Sequence, residues 1–157
     1  MTPNEKAFLD MIAISEGTYG KGDDGYNVLV GGKLFDGYSE HPNILVDLGH
    51  GLKSTAAGRY QLLYRYWVAY KQLLNLPDFG HDSQDKIALQ QIKERGALQD
   101  VNDGNIESAI HKCANIWASL PGNDYGQHQN SLTALVEAYN NMGGLSASSE
   151  NSTETRA

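Results

Sequence analysis

The chain has 157 residues, of which 40% are hydrophobic and 20% charged, and its formal net charge is -7. That length fits one domain, or one lobed domain around a cleft, able to bury roughly 68–70% of the surface its unfolded chain exposes. The charge counts against a nucleic-acid partner, since no basic run is present to neutralise phosphates, and it gives no general attraction to an anionic membrane or wall polymer.

The first helix is announced by Thr2-Pro3-Asn4-Glu5, a capping box with proline at the first helical position. Phe8, Met11, Ile12 and Ser15 then recur at helical spacing and predict an amphipathic helix. Glu16 continues that stripe, four residues after Ile12, and Gly17 supplies the stop. Partial burial and the negative end of the helix dipole both favour the protonated form of a carboxyl placed there, as a general acid requires. The alternative is a Glu that reaches solvent past a frayed helix end. Spacing makes Glu16 a candidate and no more.

Residues 18–25 read as a Gly- and Asp-rich loop. Tyr26, Val28 and Val30 alternate, Gly31-Gly32 signals a hairpin turn, and Leu34-Phe35 begins a return strand, with a third short strand between Asn43 and Leu48. Residues 47–59 hold many small and turn-forming residues that let backbone approach a ligand. A helix is expected from Tyr60, with Leu62, Leu63, Tyr66, Trp67, Tyr70, Leu73 and Leu74 on one apolar face, ended by Leu76-Pro77. Further helices are expected from about Ser83 to Arg95, from Asp103 to about Ser119, and through Leu132, Leu135, Val136, Tyr139 and Met142 to Gly143-Gly144. The fold class is therefore α+β. Residues 1–144 form the domain, and 145–157 read as a polar, poorly tied tail.

Cys113 lies among Ile106, Ala109, Ile110 and Trp117 at helical spacing, so it reads as a buried core thiol, and an internal disulfide is impossible. That fits a reducing cytoplasm. The apolar start is short and broken by Asp10, so neither a signal peptide nor a membrane span is expected. The five histidines show no metal-ligand spacing, and no metal or cofactor is expected. No elbow motif supports a Ser or Cys nucleophile. A glycosidase usually needs a second carboxylate, for which Asp23, Asp24, Asp36, Glu40 and Asp47 are candidates that no local pattern separates. One known glycosidase family places an Asp nine residues after its catalytic Glu and a Thr six further on; here those positions are Gly25 and Gly31.

Several blocks together carry a resemblance: Lys6 to Met11, Ser15-Glu16-Gly17-Thr18, Gly25-Tyr26, Val30-Gly31-Gly32, Leu52-Lys53-Ser54-Thr55, Ala57 to Leu63, Ala88 to Leu98, Asn115 to Gly122, and Tyr125-Gly126-Gln127. In order and spacing the chain resembles the lambda-type phage endolysins. The resemblance implies a lysozyme-like fold, a helical lobe and a small β-ribbon lobe with a cleft between them. It implies cleavage of the β-1,4 bond between N-acetylmuramic acid and N-acetylglucosamine in peptidoglycan, with Glu16 as catalytic acid. The family acts as a lytic transglycosylase, in which the muramic acid C6 hydroxyl attacks C1 and one carboxylate suffices. Ser54, Thr55, Tyr60, Gln61, Tyr125 and Gln127 are then the expected glycan contacts. A monomer is expected, without stable membrane association, that accumulates in the host cytoplasm and reaches the wall through holin lesions. The family's Asp after Gly-Tyr is replaced by Asn27. The rivals are a hydrolysing lysozyme on the same fold and a non-catalytic wall-binding module.

Overall fold

In this computed structural model the described residues are 1–122 and 129–147. The elements in chain order are α1 (Pro3–Glu16), β1 (Val46–Gly49), β2 (Leu52–Ser54), α2 (Tyr64–Leu73), α3 (His81–Glu94), α4 (Leu98–Asp103), α5 (Ile106–Cys113) and α6 (Leu132–Asn141). The fold is α+β. Two compact units are present: Met1–Ser15 with Leu89–Ala157, and Glu16–Ala88.

In the first unit the capping box forms as the sequence requires: the Glu5 amide donates to Thr2 Oγ1 at 3.1 Å, and the Thr2 amide to Glu5 Oε1 at 3.0 Å. The seven residues Ala7 to Ala13 are all buried, so α1 is a core helix through its middle rather than the one-sided helix the spacing predicts. Asp10 is buried among them and is held by Lys6 Nζ at 2.8 Å, one turn earlier. On α5 the buried residues are Ile106, Ala109, Ile110 and Cys113, one continuous helical stripe. Burial pushes the Cys113 thiol up to about 12, as befits an unreactive core group.

Where a helix is expected from Asp103 to about Ser119, α5 spans only Ile106–Cys113, and α4, which ends at Asp103, is a further helix that the spacing does not predict. Gly104 takes a left-handed φ of 79° and caps α4, and α5 starts afresh at Ile106. A side chain at Gly104 would also meet Ala147 N and Leu145 O, each at 2.7 Å. Those contacts tie down the start of the expected tail: the Ala147 amide donates to Gly104 O at 2.9 Å, the Leu145 amide to Asn4 Oδ1 at 3.1 Å, and Tyr139 Oη to Leu145 O at 2.8 Å.

The second unit holds the ribbon. Residues 28–34 make a tight hairpin joined by a single Val28–Leu34 bridge, and Leu29 pairs with Ala57, which pairs with Leu62. The regular sheet lies elsewhere: β1 and β2 are antiparallel, with Val46 opposite Ser54 and Asp47 opposite Lys53. Its turn runs through Gly49, His50 and Gly51, all at positive φ. Most of its residues are exposed, so no buried face imposes the alternation by which a strand is recognised. The helix expected at Tyr60 begins at Tyr64, because Gln61 sits at φ 54° and Leu62 is engaged in the bridge to Ala57. Trp67 is the buried residue of α2, whereas Tyr66 is 45% and Leu73 63% exposed. The core here gathers Leu29, Phe35, Ala57, Leu62, Trp67, Leu76, Phe79 and Ile87. Among the described residues no helix is long and apolar enough to cross a membrane.

Candidate active site

Glu16 is the last residue of α1 and is half-buried. Gly17 follows at φ 79°, which turns the chain out of the helix. Thr18 is 2% exposed, and its hydroxyl donates to Arg59 O at 2.5 Å. Each residue around the carboxylate therefore has a physical task. Helix end, left-handed turn and buried anchor follow one another and fix where Glu16 stands. Gly25, at φ 87°, lets this corner close: a Cβ there would lie 2.8 Å from Thr18 O and 3.1 Å from Arg59 Cγ.

The Arg59 side chain, 4% exposed, is the buried cation behind the corner. Its Nε donates to Asp24 O at 2.9 Å, Nη2 lies 3.3 Å from Asp24 Oδ2, and Nη1 donates to Tyr60 Oη at 3.2 Å. The rings of Tyr19, Tyr26 and Tyr60 surround the guanidinium, with centroids 5.6, 5.3 and 5.7 Å away. Tyr26 and Tyr60 donate their hydroxyls to Asp85 Oδ1 at 2.8 and 2.6 Å. Burial first, then the Asp85 charge, raises both phenols, Tyr26 to about 12, so both remain protonated donors near neutral pH. Gln84 closes the frame: its Oε1 accepts the Arg59 amide at 2.9 Å, and its Nε2 donates to Tyr26 O and Phe79 O at 3.0 and 2.9 Å. Sequence reasoning assigned no role to Arg59, Gln84 or Asp85. Ala57 to Leu63 stands out as a block, but nothing local marks Gln84 or Asp85, whose bonds to Arg59, Tyr60 and Tyr26 span 25 or more residues.

Four of the six expected glycan contacts can be placed. Ser54 Oγ accepts the Ala56 amide at 3.1 Å and Thr55 Oγ1 the Tyr64 amide at 3.0 Å, and both residues are half-buried. Tyr60 is turned inward, 6% exposed, onto Arg59 and Asp85. Gln61 donates its amide to Gly58 O at 2.9 Å and Val28 O at 3.2 Å. Tyr125 and Gln127 lie outside the described residues.

Most of the other carboxylates are committed to holding loops. Asp23 Oδ2 takes Tyr38 Oη and His81 Nε2, both at 2.6 Å, and these bonds hold its carboxyl below the usual range. Asp24 pairs with Arg59 and accepts the Gly20 amide at 2.8 Å. Glu40 lies 2.5 Å from Lys71 Nζ and accepts from Trp67 Nε1, which lower it, Lys71 foremost. Asp47 Oδ1 accepts the Gly49 amide at 2.9 Å. Asp36 is exposed. Asn27 Oδ1 accepts the Asp23 amide at 2.9 Å.

In the other unit, Ser15 is held by Ser119 and Asn130. Ser15 Oγ lies 2.7 Å from Ser119 Oγ, and Asn130 Nδ2 donates to Ser15 O at 3.2 Å and Ser15 Oγ at 3.0 Å. The Asn130 amide also donates to Ser119 O at 2.8 Å. No group of His, Cys, Asp and Glu among the described residues is arranged to hold a metal ion.

Comparison with known proteins gives a consistent result. A family model described as Endolysin matches residues 6–146. The endolysin of Escherichia phage lambda is 54% identical over 143 residues, covering 88% of this chain and 90% of its own. The endolysin of Escherichia phage P2 is 48% identical over 157 residues, covering 92% and 95%. Among solved structures, bacteriophage lambda lysozyme complexed with a chitohexasaccharide matches with a TM-score of 0.91 at 52% identity, covering 93% of this chain and 97% of that one.

Proposed function

The chain belongs to the endolysin family, and from that premise we propose that it cleaves the glycan strands of peptidoglycan as a lytic transglycosylase, with Glu16 as both acid and base. The observation that carries this reading is the placement of Glu16: half-buried at the end of α1 and followed at once by the Gly17 turn and the Thr18 anchor. The solved relative's complex with a chitohexasaccharide supports a glycan as ligand.

The protonated Glu16 gives its proton to the oxygen between N-acetylmuramic acid and N-acetylglucosamine, and the C1–O bond breaks. The resulting carboxylate then takes the proton of the muramic acid C6 hydroxyl, whose oxygen bonds to C1 and leaves a 1,6-anhydro end. No water is consumed, and the carboxyl ends as it began. An internal nucleophile held near its target has a very high effective concentration, which is how one carboxylate can serve. The engagement of Asp23, Asp24, Glu40 and Asp47 in loop contacts favours this scheme, since carboxylates already satisfied make poor bases. Asn27 also fits it, because accepting the Asp23 amide needs an oxygen and no charge.

Ser54 and Thr55 each accept one backbone N–H, so each keeps its hydroxyl proton to offer a sugar. Tyr60, buried against Arg59 and Asp85, acts by holding the corner, Gln61 by bridging Gly58 and Val28, and Tyr125 and Gln127 complete the proposed contacts. The protein works as a monomer without metal or cofactor, and reaches the wall through lesions made by a holin.

Hydrolysis is the second reading. It is favoured by Asp36, an exposed carboxylate with no partner among the described residues that is available to activate water. Mass spectrometry of the muropeptides released from purified Gram-negative peptidoglycan separates the two. Ends of 1,6-anhydromuramic acid, one water lighter than reducing ends, are expected; reducing ends would transfer the base role to Asp36.

A further inference from the structure

Around the start of α2 the second unit carries a depression of about 420 Å³ lined by Lys53, Thr55, Leu63, Tyr64 and Arg65. Two of its five lining residues are cations, in a chain whose net charge is -7. Two cations of this unit are paired within it, Arg59 with Asp24 and Lys71 with Glu40. Lys53 and Arg65 are not: among the described residues neither has a carboxylate within ion-pair distance. The residue opposite Lys53 across the ribbon is Asp47, but its carboxylate turns to the Gly49 amide. Arg65 lies over the Tyr66 ring, 5.0 Å from its centroid, with Nη2 3.4 Å from Tyr66 Oη, which leaves most of its donors open.

We propose that this pocket binds a carboxylate of the peptide stem that muramic acid carries. Stem peptides are ionised at neutral pH, and a protein of strongly negative charge must grip them through local cations placed where its general field is overcome. A guanidinium fork and an ammonium beside an open hollow suit a carboxylate. The inference deepens the glycan-cleavage reading and rests on it.

The test measures binding of the Glu16→Gln chain to purified peptidoglycan strands with their stems and to strands stripped of stems by an amidase. Stem-bearing strands are expected to bind on the order of tenfold more tightly, the sum of two partly exposed charge contacts. That preference is expected to vanish in the Lys53→Gln/Arg65→Gln double variant, to fade at high salt, and to survive Lys53→Arg. Equal binding of both strands overturns the proposal, as does a preference that persists in the double variant. Cleavage is read separately, with the unmodified chain. If neither strand is cut, the glycan-cleavage reading fails while the binding ratio still decides the pocket.

Discussion

The side-chain amide of Asn130 donates to both the carbonyl and the hydroxyl oxygen of Ser15, at 3.2 and 3.0 Å, one residue before Glu16. The last carbonyls of a helix have no partner within it, so a side chain that supplies donors there fixes the final turn. Ser119 reaches the same hydroxyl, oxygen to oxygen at 2.7 Å. Asn130→Ala removes two hydrogen bonds and is expected to cost about 1–2 kcal/mol of stability. If Asn130 positions the catalytic end of α1, kcat measured well below the melting temperature also falls. A loss of stability with kcat intact would reduce Asn130 to a structural tie.

Glu16→Gln keeps the shape of the side chain and removes the proton. A fall in kcat of at least about 100-fold is expected, the usual contribution of a positioned acid, with the circular dichroism spectrum unchanged. Near-normal lysis of chloroform-treated Gram-negative cells by this variant would remove Glu16 from the chemistry.

Thr18→Val keeps the volume of a buried residue and deletes its donor to Arg59 O. The expected cost is about 1–3 kcal/mol, since a buried carbonyl loses a partner. Lytic rate should fall with it, because the residue after the Gly17 turn loses its anchor, and Thr18→Ser should restore both. A Thr18→Val protein that melts and lyses like the parent would show that the corner is set by backbone alone.

The acid limb of stability should carry the mark of Asp23. Its carboxyl is held below 3.8 by the Tyr38 hydroxyl and then by His81. A depressed carboxyl contributes stability that is present above its unfolded value and lost as pH falls through the folded one. The melting temperatures of the parent and Asp23→Asn are therefore expected to differ near neutral pH and to converge below about pH 4. A difference that stays constant through that range would refute the assignment.

What could be read from the sequence divides along physical lines. The capping box at Thr2, the helix end at Glu16, the buried Cys113 and the last helix depend on local patterns, and these are in place. The ribbon β1–β2 went unread in part because its strands are mostly exposed and need no alternating apolar face. The helix α4 (Leu98–Asp103) escapes the pattern because it is six residues long with Val101 as its buried residue, too short to show an apolar repeat. The start of α2 is delayed by Gln61, whose left-handed backbone no propensity scale foresees. The frame of Arg59, Gln84 and Asp85 is built from contacts between distant residues, the kind of information that periodicity does not contain.

The tie between Gly104 and residues 145–147 sets a boundary for anyone who wishes to attach something to this protein. The Ala147 amide, the Leu145 amide and the buried Ser146 belong to the folded body. A fluorescent tag or a membrane-penetrating peptide joined after residue 147 leaves them in place. The same cargo joined at Gly144 would strip partners from Asn4 and Tyr139 at once, and the fusion would enter the cell with its first helix already loosened.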